Sequence, residues 1–125
     1  MNEKFYICSR CGNVITKLTD SGVTPHCCGE KMNELVAGTV EDSREKHIPV
    51  YELNGTLVKV NVGSVDHPMI PEHFIEWVVI YTNLGYQVKH LLPNSKPNVS
   101  FELLDDETLV SVYAYCNLHG LWKTN

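Results

Sequence analysis

The sequence lacks any long hydrophobic run. Its longest apolar stretches, such as WVVIY at 77–81, have the length of a strand, whereas a membrane-spanning helix needs about 20 apolar residues. The opening residues, MNEKFYICSRC, also lack the basic and apolar regions of a secretory signal peptide. We therefore expect a cytoplasmic protein that does not interact with a membrane.

Positive charge is scarce as well. The 125 residues include 10 Lys and Arg against 15 Asp and Glu, which gives a formal net charge of −5. No stretch combines basic residues with interleaved aromatic residues, so a nucleic-acid partner is not expected. The length suits about one domain, with room for a small module that could bury little surface by itself.

The chain shows no convincing helical periodicity. Short segments with the alternation or composition of strands are separated by turns, and Asn54-Gly55 is a strong hairpin signal. The predicted strands cover residues 48–53, 56–63, 74–82, 85–91, 98–103 and 108–115. This pattern predicts an all-β fold, with an antiparallel β-sandwich of the immunoglobulin-like type as its main body.

The five cysteines are distributed unevenly along the chain. Four occur within the first 28 residues and the fifth is Cys116. In a reducing compartment such cysteines are more often metal ligands or redox thiols than disulfides. We therefore divide the chain into a cysteine-rich module at 1–37 and a β-sandwich at 38–125, each with its own site.

The first cluster combines a C-x-x-C-G motif with a vicinal C-C-G motif. Two thiolates from one turn can reach one ion, and four thiolates suit tetrahedral zinc or iron. A structural zinc knuckle fits the spacing alone. A thioredoxin-type redox pair is less suitable, because the expected βαβ context is absent. The candidate ligands are Cys8, Cys11, Cys27 and Cys28.

The second candidate cluster is spread over segments that flank predicted strands. A loop stiffened by Pro68 and Pro71 contains two histidines, another histidine precedes the strand at 48–53, and a cysteine and a histidine lie near the end of the chain. Strand ends of a sandwich converge, so these side chains could surround one ion of iron, copper or zinc. Taken singly, each is better explained by a packing or surface role, whereas the five together favour a metal site. The five residues are His47, His67, His73, Cys116 and His119.

Two resemblances narrow these alternatives. The spacing C-x2-C followed by C-C resembles desulforedoxin, a small rubredoxin-like iron module. The segments EKHIPV, GSVDHPMIPEHFIEW and YCNLHGLWK resemble the signatures of superoxide reductase. With the cysteine-rich module in front, nearly the whole chain resembles a desulfoferrodoxin, the two-iron class of that family.

The resemblance implies two irons per chain. The first would be held by the four cysteines of the front module. The second would be held by four equatorial histidines, His47, His67, His73 and His119, and by axial Cys116. His26 and His90 match no ligand position. Several members of the family that this chain resembles carry an acidic residue two positions before the cysteine, where this chain has Ala114.

The implied activity is one-electron reduction of superoxide to hydrogen peroxide, a defence against oxidative stress in an anaerobe or microaerophile. Lys46 would attract the anion, and Glu45 would occupy the sixth ligand position once the iron is oxidised. A rubredoxin-like carrier or another reductase would supply electrons. Because the front module is small, we expect the chain to form a homodimer whose interface buries part of this module.

Two other functions are compatible with parts of the sequence. A non-haem iron oxygenase would require two histidines and one carboxylate with several open positions, whereas this chain offers more nitrogen ligands and a thiolate. An electron carrier or metal-storage protein would depend on the front site alone.

Overall fold

The computed structural model describes residues 3–40 and 42–124. The chain divides into two compact units, Met1–Val36 and Ala37–Asn125. The boundary predicted from the sequence, between residues 37 and 38, lies one position later. The iron predicted for each of the two units stays a prediction.

The first unit consists of short strands with a small core. Strands β1 (Phe5–Ile7), β2 (Val14–Thr16) and β5 (Asn33–Leu35) form an antiparallel sheet in the order β2-β1-β5. Strands β3 (His26–Cys27) and β4 (Glu30–Lys31) form a separate hairpin. Tyr6, Met32 and the thiol of Cys8 pack together as the buried cluster of this unit. A core of this size leaves most of the unit dependent on another source of stability.

The second unit is an antiparallel β-sandwich. Its elements in chain order are α1 (Arg44–His47), β6 (Pro49–Asn54), β7 (Leu57–Val62), β8 (Ile75–Thr82), β9 (Gly85–His90), β10 (Asn98–Glu102), β11 (Leu109–Cys116) and β12 (Gly120–Lys123). One sheet has the order β10-β7-β6 and the other β12-β11-β8-β9. The predicted all-β fold class is confirmed.

The core lies between the two sheets and explains the alternation seen in the sequence. Val58, Val60 and Val62 project from β7 into it, because every second side chain of a strand points to the same face. Ala114 also lies in this core and is fully buried. Among the described residues, no helix is long and apolar enough to cross a membrane.

The ladders bring the predicted ligand segments to one end of the sandwich. Pro49 pairs with Val62, so the residues just before β6 and just after β7 are neighbours. In the other sheet, Cys116 pairs with Ile75, so the start of β8 meets the end of β11. The loop between β7 and β8 connects these two positions, and the turn between β11 and β12 lies at the same end.

Candidate metal centres

The four cysteines of the first unit converge on one point. Their sulfur atoms all lie within 4.8 Å of one another. The Cys11 and Cys27 sulfurs are 3.6 Å apart, and those of Cys27 and Cys28 are 3.9 Å apart. Cys28 has a φ of 53°, and Gly29 follows it at 75°, so both residues of this turn adopt the left-handed conformation. The turn thereby presents two adjacent thiols to the same side.

The protein surroundings favour an anionic sulfur at one edge of this group. Backbone N–H groups of Cys11 and Arg10 lower the pKa of the Cys8 thiol to about 6. The Asn13 side-chain amide donates to the Cys27 sulfur at 3.7 Å. Hydrogen bonding to neighbouring thiols, first that of Cys11, raises the pKa of Cys28 to about 12. Four thiolates this close therefore need a shared cation, which zinc or iron supplies.

The second group forms at the end of the sandwich described above. His47 ends α1, His67 and His73 lie between β7 and β8, Cys116 ends β11, and His119 lies in the turn before β12. Donor atoms of His47, His67, His73 and Cys116 all lie within 4.8 Å of one another. His119 joins them through Nδ1, which is 3.2 Å from His47 Nε2 and 3.9 Å from Cys116 Sγ. The structure thus brings together all five residues predicted for this site.

The four imidazole rings are arranged as the corners of a square. Neighbouring centroids are 4.6 Å apart for His47 and His67, 4.7 Å for His67 and His73, and 5.0 Å for His73 and His119. The His119 and His47 rings close the square at 5.0 Å. The diagonal between His47 and His73 is 6.4 Å. All four neighbouring pairs are edge-on, with interplanar angles between 78° and 85°.

Hydrogen bonds at the outer edges of the rings identify which nitrogen faces the centre. His47 Nδ1 lies 2.7 Å from the Ser43 carbonyl oxygen, and His67 Nδ1 lies 2.7 Å from the Pro68 carbonyl oxygen. Because a carbonyl only accepts, both Nδ1 atoms carry the proton and both Nε2 atoms keep a lone pair. These two Nε2 atoms are nevertheless 3.1 Å apart.

Two lone pairs at that distance need a cation between them. Metal–nitrogen bonds of roughly 2.1 Å at a right angle would separate adjacent nitrogens by about 3.0 Å, close to the observed spacing. Nε2 of His73 is also buried and has no hydrogen-bond partner within the part of the chain that the structure describes. The donor set therefore fits a metal ion.

Burial favours the neutral form of His47, His67 and His73, which is the form that binds a metal ion. Desolvation lowers the pKa of His67 to about 4. Desolvation is also the main cause of the lowered pKa values of His47 and His73. Burial raises the pKa of the Cys116 thiol, while backbone N–H groups of Leu118 and His119 act in the opposite direction. These N–H groups would stabilise a metal-bound thiolate.

Side chains outside the ligand set hold the segments in place. Asn117 accepts from the Phe74 backbone N–H at 3.0 Å and donates to the Glu72 carbonyl at 3.0 Å, which fixes the segment containing His73. The buried Trp122 ring lies 4.8 Å from the His47 ring, and its N–H donates to the His119 carbonyl at 3.0 Å.

Close backbone packing fixes the position of α1. The carbonyl oxygen of Glu45 accepts from the Val65 N–H at 3.0 Å. A Cβ at Gly63 would lie 2.5 Å from the same oxygen and 2.8 Å from the Ile48 carbonyl oxygen. Only glycine allows α1 to approach the loop after β7 this closely.

The other residues considered in the sequence analysis lie outside the two groups of candidate ligands. Glu45 and Lys46 have exposed side chains in α1, immediately before buried His47. Desolvation by burial is the main cause of the lowered pKa of His47, and the charge of Lys46 acts in the same direction as the smallest contribution. His26 and His90 are exposed and lie outside the four-histidine group.

One carboxylate at this site was not predicted from the sequence. Asp42 Oδ2 lies 2.7 Å from His119 Nε2. Asp42 occurs in a polar segment with other charged residues, and no spacing or periodicity relates it to His119. The contact between Asp42 and His119 is visible only in the folded chain.

Comparison with known proteins identifies the family. Residues 39–125 match the desulfoferrodoxin family model. The chain belongs to the desulfoferrodoxin family. A desulfoferrodoxin from Clostridium acetobutylicum is 40% identical over 120 residues, which cover 96% of this chain and 94% of that protein.

Two further relatives carry a more specific name. A superoxide reductase from Pyrococcus horikoshii is 36% identical over 96 residues, covering 63% of this chain and 84% of that protein. The crystal structure of the superoxide reductase from Treponema pallidum matches this structure with a TM-score of 0.84 and 38% identity over 100% of both chains. The family predicted from the sequence is confirmed.

Proposed function

We propose that this protein is a superoxide reductase whose catalytic iron is held by His47, His67, His73, His119 and Cys116. Ferrous iron bound there would supply one electron to superoxide, which with two protons gives hydrogen peroxide. The observation that carries the proposal is the convergence of imidazole lone pairs on a point beside a buried thiol. Relatives named superoxide reductase support it.

The donor set suits a small anionic substrate. Four neutral imidazoles and one thiolate leave a ferrous site with a net positive charge of about one and room for one further ligand. The thiolate of Cys116 would donate electron density to the bound iron and favour release of the product. We propose that Lys46 attracts superoxide to the remaining ligand position and that Glu45 closes it after oxidation.

The four cysteines of the first unit are proposed to hold a second iron. A rubredoxin-like carrier or another reductase would deliver electrons, and a homodimer would provide additional burial for this small unit. The cysteine group also supports an alternative function, that of an electron-transfer or metal-storage protein.

Titration of the fully reduced protein with superoxide distinguishes these functions. We expect one equivalent of hydrogen peroxide per histidine-bound iron oxidised, without release of dioxygen. Peroxide and oxygen would be measured together under anaerobic conditions. Inertness of the histidine-bound iron would support the electron carrier, and dioxygen formed alongside peroxide would indicate a dismutase.

Substitution of Lys46 and Glu45 tests their separate roles. Two unit charges about 4 Å apart in water interact by about 1 kcal/mol, so Lys46→Ala is expected to slow the second-order reaction with superoxide by about fivefold. The difference should shrink as salt screens the charge. Glu45→Ala should leave this rate nearly unchanged while altering the absorption of the oxidised iron and its affinity for cyanide. Pulse radiolysis and cyanide titration provide the measurements.

The matched controls are Lys59→Ala in β7 and Glu52→Ala in β6, which remove exposed charges from the middle of the neighbouring sheet. Neither control should alter the rate or the spectrum. A slow Glu45→Ala variant together with a normal Lys46→Ala variant would contradict both assignments.

A further inference from the structure

The position of Asp42 gives it a specific relation to one ligand. Its Oδ2 lies 2.7 Å from His119 Nε2, and its Oδ1 accepts from the Ser43 backbone N–H at 2.7 Å. The carboxylate is therefore held at both oxygens. A carboxylate in this position accepts the Nε2 proton of His119, so the lone pair of that ring is on Nδ1.

His119 is oriented differently from His47 and His67. His47 and His67 donate from Nδ1 to backbone carbonyls and direct Nε2 to the centre. His119 directs Nδ1 to the centre, at 3.2 Å from His47 Nε2. Its side chain is also 26% exposed, whereas His47 and His67 are almost fully buried. Packing alone therefore restrains the His119 ring less than it restrains these two.

We propose that Asp42 is a positioning residue that fixes the orientation and tautomer of His119 so that Nδ1 is presented to the metal. The inference rests on the proposed function for the identity of the metal, while the geometry applies to any ion bound by these histidines. Carboxylates that accept from a ligating histidine also strengthen it as a donor. Asp42 and Ser43 together thus set the tautomers of two neighbouring ligands, His119 through a side chain and His47 through a backbone carbonyl.

The first test is the affinity of the histidine site for cobalt(II) in the full-length chain. Trp122 packs against His47 and can report the bound ion by quenching. The chain has two tryptophans, so a Trp77→Phe background leaves Trp122 as the single tryptophan, which is excited selectively at the red edge of the absorption band. Zinc would first fill the cysteine site, and a competing chelator would set the free cobalt concentration. Loss of a carboxylate that supports a ligand typically weakens metal binding by about 10- to 100-fold.

We expect Asp42→Ala to weaken cobalt binding by about tenfold or more. Asp42→Asn keeps an oxygen that can accept a hydrogen bond but removes the charge, so its loss should be smaller. Asp105→Asn is the matched control, because Asp105 is an exposed carboxylate in the segment between β10 and β11. The control should bind cobalt as the parent does.

A nitrogen-detected NMR spectrum of the zinc-loaded protein supplies a readout that general destabilisation would not produce. The parent and Asp105→Asn should show His119 bound through Nδ1 with a protected proton on Nε2. In Asp42→Ala that proton should be lost to exchange, while the Nδ1 protons of His47 and His67 stay. The reduction potential of the iron-loaded site should rise in both Asp42 variants, because an anionic partner of the ligand is removed.

The outcomes separate this inference from the proposed function. A cobalt affinity of Asp42→Ala within about fivefold of the parent, against the tenfold or larger loss expected for such a partner, would overturn the inference. An unchanged His119 proton in that variant would also overturn it. Weaker cobalt binding together with the expected NMR spectrum would support the positioning role of Asp42. Inertness of the parent protein towards superoxide would refute the proposed function and leave this role intact.

Discussion

Replacement of Cys116 by serine is expected to abolish the absorption band that arises from the thiolate–iron bond and to slow the reaction with superoxide by more than about 100-fold. The side chain is fully buried, and serine is close to it in size, so the surrounding packing should persist. A hydroxyl group, however, is a poor iron ligand and a weak electron donor. The loss should exceed the roughly 10- to 100-fold typical of residues that only support a ligand. Absorption spectra of the oxidised protein and pulse radiolysis would measure the two effects.

The control for this substitution is His90→Ala. His90 is exposed at the end of β9 and lies outside the four-histidine group. We expect it to keep both the absorption band and the rate. Equal behaviour of the two variants would show that Cys116 is not a ligand.

The strands could be predicted because their burial follows a simple pattern. The six predicted strands correspond to β6 through β11, and their bounds differ by at most one residue. The alternation of Val58, Val60 and Val62 directly reflects the face that packs in the core. A half-buried strand can therefore be recognised from the alternation of apolar and polar residues in its sequence.

Two elements of the second unit could not be predicted in this way. Helix α1 is only four residues long, so it has too few residues to show a helical period, and it lies in a segment whose polar composition is typical of a linker. Strand β12 is equally short and depends on pairing with β11, where Trp122 lies opposite Ala114. Both are stabilised by contacts with segments distant in sequence.

The candidate ligands were predictable for a different reason. Cysteine and histidine are recognisable as potential metal ligands from their chemistry alone, and the resemblance to a family selected His119 while omitting His90. Asp42 carries no such signal, because an acidic residue in a charged segment is usually solvated. Its contact with His119 arises from the turn between β11 and β12 meeting the segment before α1. A supporting residue of this kind is recognised only from its position in the folded chain.

Of the substitutions considered, replacement of Cys28 by serine is expected to cause the largest loss of structure. This loss should be confined to residues 1–37. The core of this unit comprises Tyr6, Cys8 and Met32, and each buried apolar side chain contributes about 1.5–3 kcal/mol. A structural zinc ion contributes about 10–16 kcal/mol in comparable small modules, so a metal held by the four cysteines would be the main source of stability here. If the four cysteines hold iron as proposed, loss of one of them should therefore release the iron and expose the backbone of this unit.

Hydrogen exchange followed by mass spectrometry, together with iron analysis, measures this effect. Peptides from 1–37 should exchange rapidly in Cys28→Ser, while those from β7, β8 and β11 should stay protected. The control is His26→Ala, which removes an exposed side chain next to Cys27 without removing a thiol. The histidine-bound iron of Cys28→Ser should still react with superoxide, because all five of its proposed ligands lie in the second unit. Complete loss of that reaction with the iron still bound would place catalysis at the cysteine site instead.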